Sequence, residues 1–254
     1  MTSPLLALIA ENNWGVYQPL MDRLMNWEGW PLFLKALSSL DHSALYDSKV
    51  HGLGHIERTL LHGAFCAMEE PLSMADTQLL LECCSYHDVG RINDRYDEYH
   101  GLRSSQKLAD LTGRHGEELR LIQAAVEAHS KQDSRLLSTL DSYHHADPAR
   151  ALRLAHLLKD ADGLDRVRIW DLDVRFLRRK ASQQRAGFAE YLYQRYQKAA
   201  GSTSSSGRII STPAYSVFKP PLPQGRPRSP SPDGCRRYNP QQRAPPARHP
   251  LVRG

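Results

Sequence analysis

Cysteine is scarce in this 254-residue chain: Cys66, Cys83, Cys84 and Cys235 are the four, and they show no zinc-ribbon spacing. That excludes a disulfide framework, and the adjacent Cys83 and Cys84 read as small core residues in a reduced compartment. Long apolar runs are missing too. The stretch at 4–10 has no basic residue before it and stops at Glu11, Asn12 and Asn13, too short and wrongly flanked for a signal peptide or a membrane span. A cytoplasmic protein without a membrane span is the expectation. No segment alternates apolar and polar residues over strand length, and no internal repeat is present, so a β fold or a solenoid has no support.

Proline is sparse until residue 201, beyond which eleven of the sixteen lie. The segment 201–254 also holds nine Arg or Lys against a single acid, Asp233. It therefore carries +8 of a chain total of +5, which leaves residues 1–200 at −3. The basic balance describes the tail and gives no reason to expect a nucleic-acid-binding core. Such a Pro-, Ser- and Arg-rich tail cannot bury enough apolar surface to offset its ordering entropy and is expected to be disordered.

What remains is helical in pattern. Apolar residues recur three or four apart over 15–40, where Pro31 is expected to split two helices, and again from His55 to Met68. Pro71-Leu72-Ser73 opens a helix that runs to Tyr86, and Gly90 marks its stop. Further helices are expected at 100–113, 115–130, 148–167 and 171–199. The loop 91–99, acidic and aromatic, is placed to shape a pocket mouth. The fold class is all-α, a compact multi-helix bundle, with a helical extension at 1–44, the principal domain at 45–200 and the tail from 201.

The chemistry centres on His87-Asp88. Neighbouring helical residues point about 100° apart, so this pair grips one cation only where a helix ends or bends. More His and Asp residues flank it on separate helices: His51, His55, His100, His129, Asp160 and Asp162. Nitrogen and oxygen donors gathered in this way suit a divalent transition metal. His42, His62, His115, His144, His145, His156 and His249 read as ordinary polar residues. Trp14, Trp27, Trp30 and Trp170 read as core, and the run Arg175 to Lys180 as a solvated face.

Three motifs resemble those of the HD-domain metal-dependent phosphohydrolase superfamily. His55-Ile-Glu-Arg58-Thr is similar to its H-x-x-R-V opening, His87-Asp88-Val-Gly90-Arg91 to its H-D-I-G-[KR], and Asp160-Ala-Asp162-Gly-Leu-Asp165 to its D-A-D-x-L-D close. The likeness covers about residues 45–170. It implies metal ligands at His55, His87, Asp88 and Asp162, with His51 and Asp160 as alternatives one motif position away. It also implies catalytic roles for Asp88, Arg58 and Lys159, and substrate contacts from His51, Arg91 and Asp165. His100 and His129 match positions that bind a second ion in some branches and line the substrate pocket in others. The cofactor is thus one or two divalent ions (Mn, Mg, Co, Ni, Zn or Fe), and the substrate a nucleotide or another small phosphorylated metabolite. A di-iron oxygenase on the same six ligands, or a nucleotide sensor without turnover, are the alternatives. Oligomeric state stays open.

Overall fold

The computed structural model describes residues 3–203. The tail expected from 201, with Cys235 and His249, falls beyond them apart from the last residues of the final helix. The described helices are α1 (Pro4–Glu11), α2 (Gln18–Met25), α3 (Trp30–Ser38), α4 (Leu53–Glu69), α5 (Met74–Tyr86), α6 (His100–Ser105), α7 (Leu108–Thr112), α8 (Gly116–His129), α9 (Leu136–Asp141), α10 (Pro148–Leu164), α11 (Lys180–Gln184) and α12 (Ala186–Thr203), joined in places by short 3-10 turns. There is no strand among the described residues, and no described helix is long and apolar enough to cross a membrane.

Local signals set where several helices start. The Ser3, Ser73 and Asp147 side chains accept the backbone N–H of Leu6, Asp76 and Arg150, which caps α1, α5 and α10. Pro4 and Pro148 occupy the first turns of α1 and α10, where a missing N–H costs nothing. Pro31 acts in the same way. It lies in the first turn of α3, and the break that precedes it falls at residues 26–29.

Helices α4, α5, α8 and α10 form the centre, with α4 against α5 and α10, and α8 against α5 and α10. Every residue of α4 from His55 to Ala67 is buried, polar ones included. A helix apolar on one stripe alone could not occupy that place. α3 covers α4 and α5, and α12 covers α1 and α4. Cys66, Cys83 and Cys84 are buried, unbridged core residues.

The largest departures from the sequence reading lie beyond α10. The helix expected over 171–199 is instead a 3-10 turn at Val174–Phe176, the short α11 and then α12. Trp170, expected in the core, is 68% exposed with a left-handed backbone at φ 60°. α9 was not anticipated.

Candidate metal centre

Helix ends converge on one place. α5 stops at Tyr86, and residues 87–90 form a turn, so His87 and Asp88 project from a bend rather than from adjacent helical positions. His129 is the last residue of α8, and Asp162 sits two before the end of α10. His55 lies in the first turn of α4, and His100 opens α6. Three of these helices point their C-terminal, partly negative ends at the centre, a field that favours a cation.

Two glycines permit the approach. A Cβ on Gly90 would sit 2.3 Å from the Ser104 nitrogen and 2.6 Å from the His100 carbonyl oxygen, and one on Gly101 would sit 2.7 Å from the Val126 carbonyl oxygen. Only bare backbone at both positions lets α6 press His100 against the His87-Asp88 turn and the end of α8.

His55 Nε2 lies 3.0 Å from His87 Nε2, 3.6 Å from Asp88 Oδ2 and 3.3 Å from Asp162 Oδ1. His87 Nε2 lies 3.8 and 3.9 Å from the same two oxygens. The other Asp88 oxygen, Oδ1, is 3.1 Å from His100 Nε2 and 3.6 Å from His129 Nε2, and these two nitrogens are 2.9 Å apart. Ligand bonds of about 2.1 Å place donors about 3.0 Å apart at right angles and about 3.4 Å apart in a tetrahedron. The observed spacings bracket those values.

Tautomers sharpen the fit. His87 Nδ1 meets the Cys84 carbonyl at 3.0 Å, and His129 Nδ1 meets that of Val126 at 2.5 Å. His100 Nδ1 meets the Asp97 carbonyl, and His55 Nδ1 meets Asp165 Oδ2 at 2.7 Å. A carbonyl or carboxylate only accepts, so each Nδ1 carries the proton and each Nε2 presents a lone pair. Two pairs of lone pairs therefore face each other around Asp88, whose Oδ1 is buried and accepts no hydrogen bond. Without a cation such a set repels itself; with one it is a ligand sphere.

Protonation states agree. Burial pushes the His87 imidazole down to about 3, against the pull of Asp88, and burial likewise lowers His129 and His51. Burial would raise the Asp88 carboxyl, but the surrounding imidazoles, His87 first and then His100, His129 and His51, hold it well below the usual range. Asp162 is held down in the same way by His55 and His87.

The remaining sequence candidates divide. His51 Nδ1 is 3.0 Å from Asp88 Oδ2, and Arg91 Nε is 2.9 Å from the same oxygen, so both border the cluster. Asp165, expected to touch substrate, is fully buried; it bonds His55 and receives Arg58 Nε at 2.6 Å. Arg58, expected to be catalytic, is 2% exposed and lies over the Tyr193 and Tyr196 rings, 5.2 and 4.8 Å from their centroids. Lys159, expected to meet a phosphoryl group, spends its Nζ on the carbonyls of Ala128, His129 and Lys131 and on Asp133. Asp160 points elsewhere and accepts the backbone N–H groups of Arg178 and Arg179. Sequence reading missed Arg168, which donates to Val50 O at 2.8 Å and approaches His51 Nδ1 at 3.1 Å. Its position six residues past Asp162, on a 3-10 turn, follows no helical period that would have marked it.

The HD domain family model matches residues 52–167. These residues belong to the HD-domain family. No curated protein and no solved structure matches the chain. The matched span of the HD domain takes in His55, His87, Asp88, His100, His129 and Asp162; His51 and Arg168 stand one residue outside either end.

Proposed function

We propose that this HD domain is a metal-dependent phosphohydrolase with a two-ion centre, acting on a nucleotide or another small phosphorylated metabolite. One observation carries the reading. Asp88 turns one oxygen toward His55 and His87 and its orphaned second oxygen toward His100 and His129. One carboxylate thus faces a pair of imidazoles on each side, and would serve both donor sets. His55, His87, Asp88 and Asp162 would hold one ion, and Asp88, His100 and His129 the other. Bound there, a divalent ion acidifies water and polarises a phosphoryl oxygen.

The chain's own residues do the rest. His51, Arg91 and Arg168 stand at the border of the centre, where positive and hydrogen-bonding groups steady phosphoryl oxygens as charge develops. Arg58 and Asp165 are positioning residues: the buried pair fixes the His55 ring so that its Nε2 faces inward. Lys159 fixes the end of α8 and with it His129.

Metal analysis together with a phosphate-release screen tests this. The full chain is expected to hold two divalent ions and to release phosphate from members of a metabolite panel, and Asp88→Ala is expected to lose both. A variant that keeps its metal and turnover removes the site assignment. The same six donors favour a second reading, a di-iron oxygenase. Two irons per chain with oxygen-dependent turnover, and no phosphate release, would replace the hydrolase with it.

A further inference from the structure

A chamber of about 290 Å³ opens on the centre, lined by His51 and Arg168 and, from the loop between α5 and α6, by Arg91 and residues 94–97. Both ends of that loop are fastened beside donors of the centre. At one end the Arg91 backbone N–H donates to the Asp88 carbonyl at 3.0 Å. At the other, the hydroxyl of Ser130, next to His129, donates to the Glu98 carbonyl at 2.8 Å, and Asp97 pairs with Arg103.

The tip between those anchors is held differently. The Arg95 N–H donates to the Asn93 side chain at 2.9 Å, and Arg91 Nη1 reaches the Arg95 carbonyl at 3.5 Å, so both bonds stay inside the loop. Ile92 and Tyr96 are 69% and 81% exposed and belong to neither apolar core cluster. Among the described residues, one hydrogen bond leaves 92–96 for another part of the chain: the Ser48 hydroxyl donates to Asp94 Oδ1 at 2.6 Å. A segment with so few buried contacts opens at small cost.

Ser48 is more than a tether. Its oxygen also accepts the backbone N–H groups of Val50 and His51, at 2.9 and 3.1 Å, and so shapes the turn that sets His51 at the chamber. The bond to Asp94 therefore joins two parts of one wall, from a residue outside the HD-domain match. The chamber's other arginines have acids of their own: Arg91 meets Asp88, Arg166 meets Asp171 and Arg168 meets Asp165. Arg95 lines the chamber and pairs with no carboxylate among the described residues. It is the guanidinium left over for a ligand.

We infer that residues 92–96 form a lid over this chamber, that the Ser48–Asp94 bond is its latch, and that Arg95 is the group the latched lid holds toward a bound anion. Closure of such a segment shuts water out of a reacting centre and completes the set of groups around the ligand. Ser48 and Asp94 are positioning residues, and Arg95 touches the ligand. The inference rests on the phosphohydrolase reading for the anionic character of the ligand alone; closure of the lid is separable from turnover.

The test uses the metal-loaded full chain with inorganic phosphate as the probe, read by calorimetric binding and by hydrogen exchange of residues 92–96. Phosphate is expected to slow that exchange in the native chain. Asp94→Asn keeps an acceptor for the Ser48 hydroxyl and removes the charge, whereas Asp94→Ala removes both. A carboxylate that did no more than repel anions would make the two variants bind phosphate equally, and more tightly than the native chain. A latch sets them apart: Asp94→Ala is expected to bind phosphate about two- to tenfold more weakly than Asp94→Asn, the scale of one hydrogen bond, and to exchange 92–96 faster. Arg95→Ala is expected to weaken phosphate binding while the ligand-free loop exchanges as in the native chain. Equal binding by the two Asp94 variants, exchange that phosphate leaves unchanged, native affinity in Arg95→Ala, or no binding of phosphate overturns the inference. A loop that closes on phosphate in a chain that hydrolyses no substrate keeps the lid and loses the hydrolase; turnover with an unresponsive loop does the reverse.

Discussion

At the scale of single residues, the buried trio His55, Asp165 and Arg58 shows how much of a metal centre lies behind its ligands. Asp165 receives two Arg58 nitrogens, at 2.6 and 3.0 Å, while holding His55 Nδ1. Replacing Asp165 with Asn removes the one carboxylate that pairs with the buried Arg58 guanidinium among the described residues. Breaking such a buried pair costs about 3–5 kcal/mol, and loss of a ligand's hydrogen-bonded support typically weakens metal binding about 10–100-fold. Urea unfolding and a metal titration of Asp165→Asn are expected to show both losses, and a variant with native affinity would leave His55 positioned by something else. His62 makes a different demand. It is completely buried beside Phe188, and neither ring nitrogen has a protein hydrogen-bond partner. Burial pushes its imidazole down to about 3. The unfolded chain, with an ordinary value of about 6.5, binds the proton first as pH falls. The stability His62 contributes is therefore full above about pH 6.5 and drains away between there and about pH 3. Between pH 7 and pH 5 the native chain is expected to lose about 2 kcal/mol more than His62→Leu. Equal losses in paired urea titrations would contradict this.

At the scale of elements, α6 is a single short helix that exists to deliver His100. It reaches the centre because Gly101 lies bare against the Val126 and Glu127 carbonyls of α8, 2.7 and 2.8 Å from where a Cβ would stand. Backbone cannot yield as a flexible side chain does, so Gly101→Ala is expected to lift α6 away. The cost is on the order of 1–3 kcal/mol, as for other overpacked contacts, and one bound ion of the two is expected to vanish while the His55 side keeps its own. Metal stoichiometry by elemental analysis separates this outcome from loss of both ions or of neither. The elements also show where the sequence was readable. The helices read at 55–68, from Pro71-Leu72-Ser73 to Tyr86 and at 115–130 announced themselves by an apolar period or an apolar run with a clear end, and the candidate donors near those ends stood out with them. The span 165–179 did not, because its residues have ordinary helix propensity and are drawn out of helix by partners far away in sequence. Asp160 takes the backbone N–H groups of residues 178 and 179, and Arg168 reaches back to Val50. For the same reason, the pattern showed Arg58 and Lys159 as charged groups near the motifs, without showing that Arg58 meets the buried Asp165 or that Lys159 meets the carbonyls at the end of α8.

At the scale of the whole molecule, the HD-domain match is less than the folded unit. α4 carries His55 and is buried on every side, and part of its cover comes from outside residues 52–167. Glu57, in the first turns of α4, accepts the Leu5 N–H at 3.2 Å from α1 and the Tyr196 hydroxyl at 2.7 Å from α12. Phe188 and Leu192 of α12 and Leu5, Met21 and Phe33 of the first three helices belong to the same apolar cluster as Leu60, Leu61 and Phe65. Farther along α4, Arg185 pairs with Glu69 and lies over the Phe65 ring. Excision of residues 52–167 would bare that apolar face and strand the Glu57 carboxylate without either donor. Burial of each large apolar side chain is worth about 1.5–3 kcal/mol, so the loss of five, about 8–15 kcal/mol, is on the scale of the whole 5–15 kcal/mol by which a domain is stable. The isolated 52–167 fragment is expected to lack cooperative thermal unfolding and to bind no metal, whereas residues 1–203 are expected to unfold cooperatively and to bind it. A fragment that melts sharply and loads two ions would mean that the flanking helices serve something other than the support of His55.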